Sequence, residues 1–302
     1  MKAHSVLLAL FLLIGYTINI VAQVDRNLRF THLTNDNGLP TNTIYSLCQD
    51  FKGFIWIATA NGLCKYDGRS ISVYEVEPTK GERKKGGIIR HVFEDKRHRL
   101  WVITHKGVNL YNRNKDNFNF VSVDSLNNFS RVIYQDDKGK IYMGGSGAFI
   151  YNEQTSKFDP FYVNQDETIT AFITAITSDQ KGQMWFGRMY GGLICADVEN
   201  GKLTRYKHND HNINSLISNK VTSLFTDHHG RIWIGTEDKG ICYFDSSTNK
   251  FIRIEGFPQI CVRTFAEDAE GNIWIGSENG LYIYISDENK FINYNQNYNV
   301  FY

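Results

Sequence analysis

The stretch Asp50-Phe51-Lys52-Gly53-Phe54-Ile55-Trp56-Ile57-Ala58-Thr59, followed by Asn61-Gly62-Leu63, decides the fold because it returns. Asp227-His228-His229-Gly230-Arg231-Ile232-Trp233-Ile234-Gly235-Thr236 repeats its acid, glycine, aromatic and hydroxyl in the same register. Working outward, the aromatic position is filled by Trp56, Trp101, Tyr142, Trp185, Trp233 and Trp274, at intervals of 45, 41, 43, 48 and 41 residues. Every tryptophan of the chain stands in this column. Six residues earlier comes Asp50, Asp95, Asp136, Asp179, Asp227 or Asp268. Three residues earlier comes Gly53, Gly139, Gly182, Gly230 or Gly271, with His98 in the second copy. Thr59, Thr104, Thr236 and Ser277 follow in four copies, and Arg188 takes that place in the fourth. Separate columns that keep register with one another mark a true repeat of about forty-four residues.

Each repeat reads as four short strands. An apolar run such as Ile44-Tyr45-Ser46-Leu47 leads into Asp-x-x-Gly, a tight turn in which Asp bonds the following backbone and Gly accepts positive φ. The second strand, Ile55-Trp56-Ile57 or Ile232-Trp233-Ile234, is β-branched and aromatic. A Thr-x-x-Gly loop leads to the third strand, and Lys157-Phe158, Lys250-Phe251 and Lys290-Phe291 open the fourth. No apolar stripe of helical period and length is present. The pattern predicts an all-β fold, a β-propeller of four-stranded blades, with blades over 41–78, 86–123, 129–163, 169–207, 217–255 and 260–295. A flat Trp would fill the wedge between neighbouring blades.

Composition agrees. The 302 residues carry 33 Lys+Arg against 32 Asp+Glu, a net charge of +1, which excludes a nucleic-acid binder working by bulk positive charge. Only 4 prolines accompany 25 glycines, so a proline-rich linker is excluded too. The aromatic surplus of 20 Phe, 17 Tyr and 5 Trp finds its place in the repeat columns. At the N-terminus a short basic start, an apolar run over Val6–Ile14 and small residues up to Ala22 predict a signal peptide over 1–22. The competing membrane anchor is disfavoured because Gly15, Thr17 and Asn19 interrupt the run. Export to the periplasm is the expectation. The five cysteines, Cys48, Cys64, Cys195, Cys242 and Cys261, are odd in number and scattered, and Cys64 and Cys242, each two residues after a repeat glycine, read as small buried strand residues.

Phe30-Thr31-His32-Leu33, Gly38-Leu39-Pro40-Thr41-Asn42-Thr43-Ile44 and the Asp50–Leu63 stretch together resemble the two-component regulator propeller repeat. The resemblance covers nearly everything after residue 22 and points to the N-terminal periplasmic sensor region of bacterial hybrid two-component system histidine kinases. It implies a ligand-sensing domain that takes an oligosaccharide, in a receptor with a second propeller, an immunoglobulin-like domain, a membrane helix and a histidine kinase. The implied partners are the ligand, those C-terminal modules of the same receptor, anchored in the inner membrane, and a second copy in a homodimer. It implies neither a cofactor nor contact of this region with nucleic acid.

The strand count adds an expectation. Residues 28–33 read as a lone fourth strand, which would close a seventh blade whose other three strands lie beyond Tyr302. The chain then reads as the truncated input part of a longer sensor and an incomplete seven-bladed ring. A six-bladed ring with 28–33 as an accessory strand is the other reading.

Three chemistries compete for these residues. A propeller glycosidase needs two carboxylates at a defined separation, and the acids in register here belong to turns. His228-His229, near His208 and His211, occupy the variable positions of a turn and make poor joint metal ligands. Gly144-Gly145-Ser146-Gly147 lacks the Lys-Ser/Thr and helix of a phosphate loop, and Lys80-Gly81-Glu82-Arg83-Lys84-Lys85 reads as a solvated linker. No catalytic residue, cofactor site or metal site is assigned, and the chain reads as a non-enzyme; a glycosidase-like enzyme and a protein-interaction scaffold are the alternatives. Ligand binding is expected on the face formed by the loops between second and third strands, at Asn61, His105, Arg188, Tyr190, Glu237 and Lys239, with Lys106 and Asn279 beside them.

Overall fold

The computed structural model describes residues 31–294 apart from 77–86, 105, 124–128, 163–168, 170 and 287. The signal-peptide segment, the basic run at 80–85, His105 and the chain after 294 lie outside the described residues. Of the strand expected at 28–33, residues 31–33 are described and are not in a strand.

Among the described residues, twenty-four strands form six separate four-stranded sheets, the blades of a β-propeller. They occupy residues 44–74, 89–121, 130–160, 173–206, 221–253 and 262–293. Within each blade every strand pairs antiparallel with its sequence neighbour. The first strands, Ile44–Gln49, Ile89–Glu94, Ser130–Gln135, Ile173–Ser178, Val221–Thr226 and Val262–Glu267, are innermost: each packs beside that of the next blade. No comparable contact joins the first strands of blades six and one among the described residues.

The aromatic column holds successive blades together. Trp56 packs with Ile89, Val92, Leu100 and Val102 of blade two. Trp101 meets Ile133, Ile141 and Met143 of blade three, and Tyr142 meets Ile173 and Phe186 of blade four. Trp185 and Trp233 do the same for blades five and six. These five side chains are at most 2% exposed. Burying such a ring contributes roughly 2–3 kcal/mol from apolar area alone. Trp274, in the last blade, is half-buried and stacks on Tyr294 instead, centroids 5.6 Å apart.

The acid column makes the turn and also reaches the wedge. In each blade one carboxylate oxygen accepts backbone N–H groups of the turn, as Asp50 Oδ1 does from Lys52 (3.0 Å) and Phe54 (3.1 Å). The other oxygen accepts from the aromatic six residues on: Trp56, Trp101, Trp185, Trp233 and Trp274 donate through Nε1 at 2.8–3.2 Å, and Tyr142 through its hydroxyl at 3.2 Å. The hydroxyl column is satisfied in the same local way, Thr59 Oγ1 donating to the Gly62 carbonyl at 2.7 Å and Thr236 Oγ1 to the Gly240 carbonyl at 2.8 Å. His98, at the place of the turn glycine, adopts its left-handed backbone (φ 61°), and blade two keeps all four strands.

Candidate functional site

Antiparallel pairing fixes which segments share an end of the propeller. The Asp-x-x-Gly turns lie at one end. The loops between second and third strands lie at the other, beside the starts of the innermost strands, as the pairings Ile44↔Thr59 and Thr59↔Gly62 show. The expected binding residues therefore belong to one end, but the side chains there are not equally available. Tyr190 is exposed, at 79%. Arg188 is folded back: its guanidinium donates to the Gly191 carbonyl of its own loop, and burial followed by the charge of Arg205 holds its pKa below the ordinary arginine value. Glu237 pairs with Lys220 at 3.2 Å, and Lys239 Nζ reaches Gln259 Oε1 at 3.5 Å. Asn61 donates its backbone N–H to Thr59 Oγ1 at 3.0 Å, shaping the loop. His105 is outside the described residues.

The same end carries a second set of residues that a reading of the loops does not reach. Each first strand has one extra residue at the same level. Register against the second strand slips between Ile44 and Ser46, Ile89 and His91, Ile173 and Ala175, Val221 and Ser223, and Val262 and Thr264. In blade three it slips between the pairs Ser130↔Gly145 and Val132↔Gly144. The residues left over are Tyr45, Arg90, Arg131, Thr174, Thr222 and Arg263, one per innermost strand. A bulge bends its strand and re-aims the extra side chain, which is why bulges gather beside functional sites. Two of the six stitch the wall: Thr174 Oγ1 donates to the Val221 carbonyl at 2.6 Å, and Thr222 Oγ1 to the Val262 carbonyl at 2.5 Å. Tyr45 is exposed, as are Phe129 and Phe172 immediately before the first strands of blades three and four. These two rings lie 5.2 Å apart. A signal for this set exists in the chain, since each bulge residue stands eleven positions before the column aromatic.

At the turn end, a cleft of about 220 Å³ between blades one and two is lined by Lys52, Phe54, Lys65, Tyr111, Arg113 and Asp116. Its cations are engaged: Arg113 bonds Asp50 Oδ2 at 2.9 Å, and Lys65 lies over the Phe54 ring at 4.3 Å. Burial alone would raise the Asp50 pKa, but hydrogen bonds from Trp56, Arg113 and the turn backbone outweigh it and hold the carboxyl below its usual value. His228 faces Glu267 at 2.5 Å and lies against His229 in the turn. Among the described residues no three His, Cys, Asp or Glu side chains converge as a metal site would need.

Parts of the chain match a known family model. The two component regulator propeller model matches residues 38–61, 215–238 and 256–279. Extracellular domains of two hybrid two component systems from B. thetaiotaomicron superpose well. One is 23% identical with a TM-score of 0.73, covering 87% of this chain and 36% of that one. The other is 26% identical with a TM-score of 0.69, covering 85% and 33%. The chain thus spans about a third of the length of those domains. Virginiamycin B lyase from Staphylococcus aureus shares the fold at 14% identity and a TM-score of 0.66, covering 87% of this chain and 86% of that one. No curated protein matches the chain. Among the described residues, no helix is long and apolar enough to cross a membrane. The chain is a β-propeller, and three of its stretches match the two component regulator propeller model.

Proposed function

We propose that this propeller is the extracytoplasmic recognition domain of a two-component sensor and that its ligand is an oligosaccharide, bound at the end that gathers the loops between second and third strands. The observation that carries this reading is the set of exposed aromatic side chains at that end, Tyr45, Phe129, Phe172 and Tyr190. Flat apolar rings on a rigid frame suit the faces of sugar rings, while neighbouring polar groups set orientation. The repeat family and the two extracellular receptor domains of like fold support the assignment to signalling. On this reading the propeller does no chemistry, and it passes its bound state to further modules of the same receptor: a second propeller, a membrane anchor and a histidine kinase, working as a homodimer. Export of this chain to the periplasm is part of the same proposal.

Titration calorimetry against a panel of plant and host oligosaccharides, with product analysis of each mixture, tests it. Saturable binding without product, weakened several-fold by Tyr190→Ala or Phe172→Ala, is the expected result. Bond cleavage by the purified propeller would move the assignment to a carbohydrate-active enzyme. Absence of saccharide binding, with a protein co-purifying, would favour the interaction scaffold.

A further inference from the structure

Arg90, Arg131 and Arg263 occupy the same bulge position on the innermost strands of blades two, three and six. Each stands at the loop end of its first strand. The Arg131 guanidinium is held below the ordinary arginine pKa by burial and then by the charges of Arg90 and Arg263, so both lie near enough to act on it. None of them forms an ion pair or donates a hydrogen bond among the described residues, and Arg90 Nε is buried without a partner. The acids of this end are committed elsewhere: Glu237 to Lys220, and Glu278 to the Cys261 backbone N–H at 3.2 Å. Their visible companions are rings. Arg90 lies over Tyr45 at 5.0 Å, and Arg131 over Phe172 at 5.8 Å.

This arrangement is unfavourable in isolation. Arg99 and Arg231, at the turn end, are compensated, the first by Asp95 and Glu153 and the second by Asp227. At the bulge level, by contrast, the two threonines are hydrogen-bonded to the wall while three guanidiniums stand with open donor forks. A guanidinium fork matches the two oxygens of a carboxylate or sulfate, and the partial burial of Arg90 and Arg131 strengthens such a bond there. The rings beside them suit a sugar face rather than a bare inorganic ion.

We propose that Arg90, Arg131 and Arg263 form an anion site at the axis, which takes an acidic oligosaccharide by its carboxylate or sulfate groups while Tyr45, Phe129 and Phe172 hold its sugar rings. The inference rests on the oligosaccharide reading above and adds the charge class of the ligand.

The test uses the purified chain and three probes in calorimetry: oligogalacturonides of two to six residues, sulfated heparin-derived oligosaccharides of the same lengths, and neutral galacto- and malto-oligosaccharides. Binding of one acidic set and not of the neutral set is expected, and which acidic set binds distinguishes carboxylate from sulfate. Affinity should fall about ten- to hundred-fold in each of Arg90→Gln, Arg131→Gln and Arg263→Gln, as loss of a charged hydrogen bond predicts. It should also fall when salt is raised from 50 to about 500 mM. Arg131→Lys, which keeps the charge and loses the fork, should recover only part of the loss. Melting temperatures of the variants separate lost binding from lost folding. If neutral oligosaccharides bind as well as acidic ones, or the three variants bind normally, the anion site is overturned and the oligosaccharide reading stands. If no saccharide of any set binds, both fall.

Discussion

Burial pushes the His91 imidazole down to about 4 from an ordinary 6.5, and its Nδ1 has no hydrogen-bond partner. The folded protein therefore refuses a proton that the unfolded chain accepts as pH falls below 6.5. The stability involved is fully present above that value and is lost as pH falls from 6.5 towards 4, by at most about 3 kcal/mol. His91→Gln should flatten the melting temperature over this window. The carboxyls of Asp50 and Asp268, held low despite burial by indole and backbone donors, contribute their loss only in more acid solution, so the two effects separate on a pH profile. The acid–aromatic bond offers a second measurement. Asp95 Oδ2 accepts from both Trp101 and Arg99 (2.6 Å), whereas the donor to Asp179 Oδ2 is Trp185 at 3.2 Å, with no arginine beside it. Trp101→Phe and Trp185→Phe both shrink a buried ring, but the second also orphans a buried carboxylate oxygen. Chemical denaturation should show Trp185→Phe to be more destabilising by about 1–2 kcal/mol.

Blades meet through small residues as much as through large ones. Two positions after the column aromatic stand Ala58, Ile103, Gly144, Gly187, Gly235 and Gly276. A methyl placed on Gly187 would sit 2.6 Å from Val221 of the next blade, and one on Gly144 2.6 Å from Ile173. Gly187→Ala should therefore cost about 1–3 kcal/mol by overpacking, read as a lower denaturation midpoint with an unchanged slope. A methyl on Gly276 meets only Thr264 of its own blade. Strand order, turn positions and the role of the aromatic column are legible in the chain because they depend on neighbours within about six residues. The indole-to-carboxylate bond is harder to read. It joins two columns that each have a sufficient reason on their own, one as a turn former and one as a core ring. His98 shows the reverse case: it departs from glycine in the sequence, yet takes the same left-handed backbone, helped by its ring against Phe51 at 4.3 Å and by Glu94 at 3.3 Å.

At the scale of the whole molecule, the propeller brings together residues that the chain keeps far apart. Arg90, Arg131 and Arg263 are separated by 41 and 132 residues, yet share one level at the axis. The loop residues near them are visible in sequence as variable positions between fixed strands. The arginines are hidden inside strand patterns, where an extra residue is unmarked until the register is known. Arg188 is the converse case: its loop stands out in the sequence, and its guanidinium bonds the Gly191 carbonyl of that same loop. The loop residues expected to bind thus share one end with the bulge residues, which only the strand pairing reveals. The one-tryptophan-per-repeat arrangement has a further use. Five blades carry a single indole each and blade three carries none, so the protein is built with one optical label per blade and a silent third. Because each indole is anchored to its own turn and the first four reach into the next blade, leaving one tryptophan in place at a time reports the loosening of one particular seam.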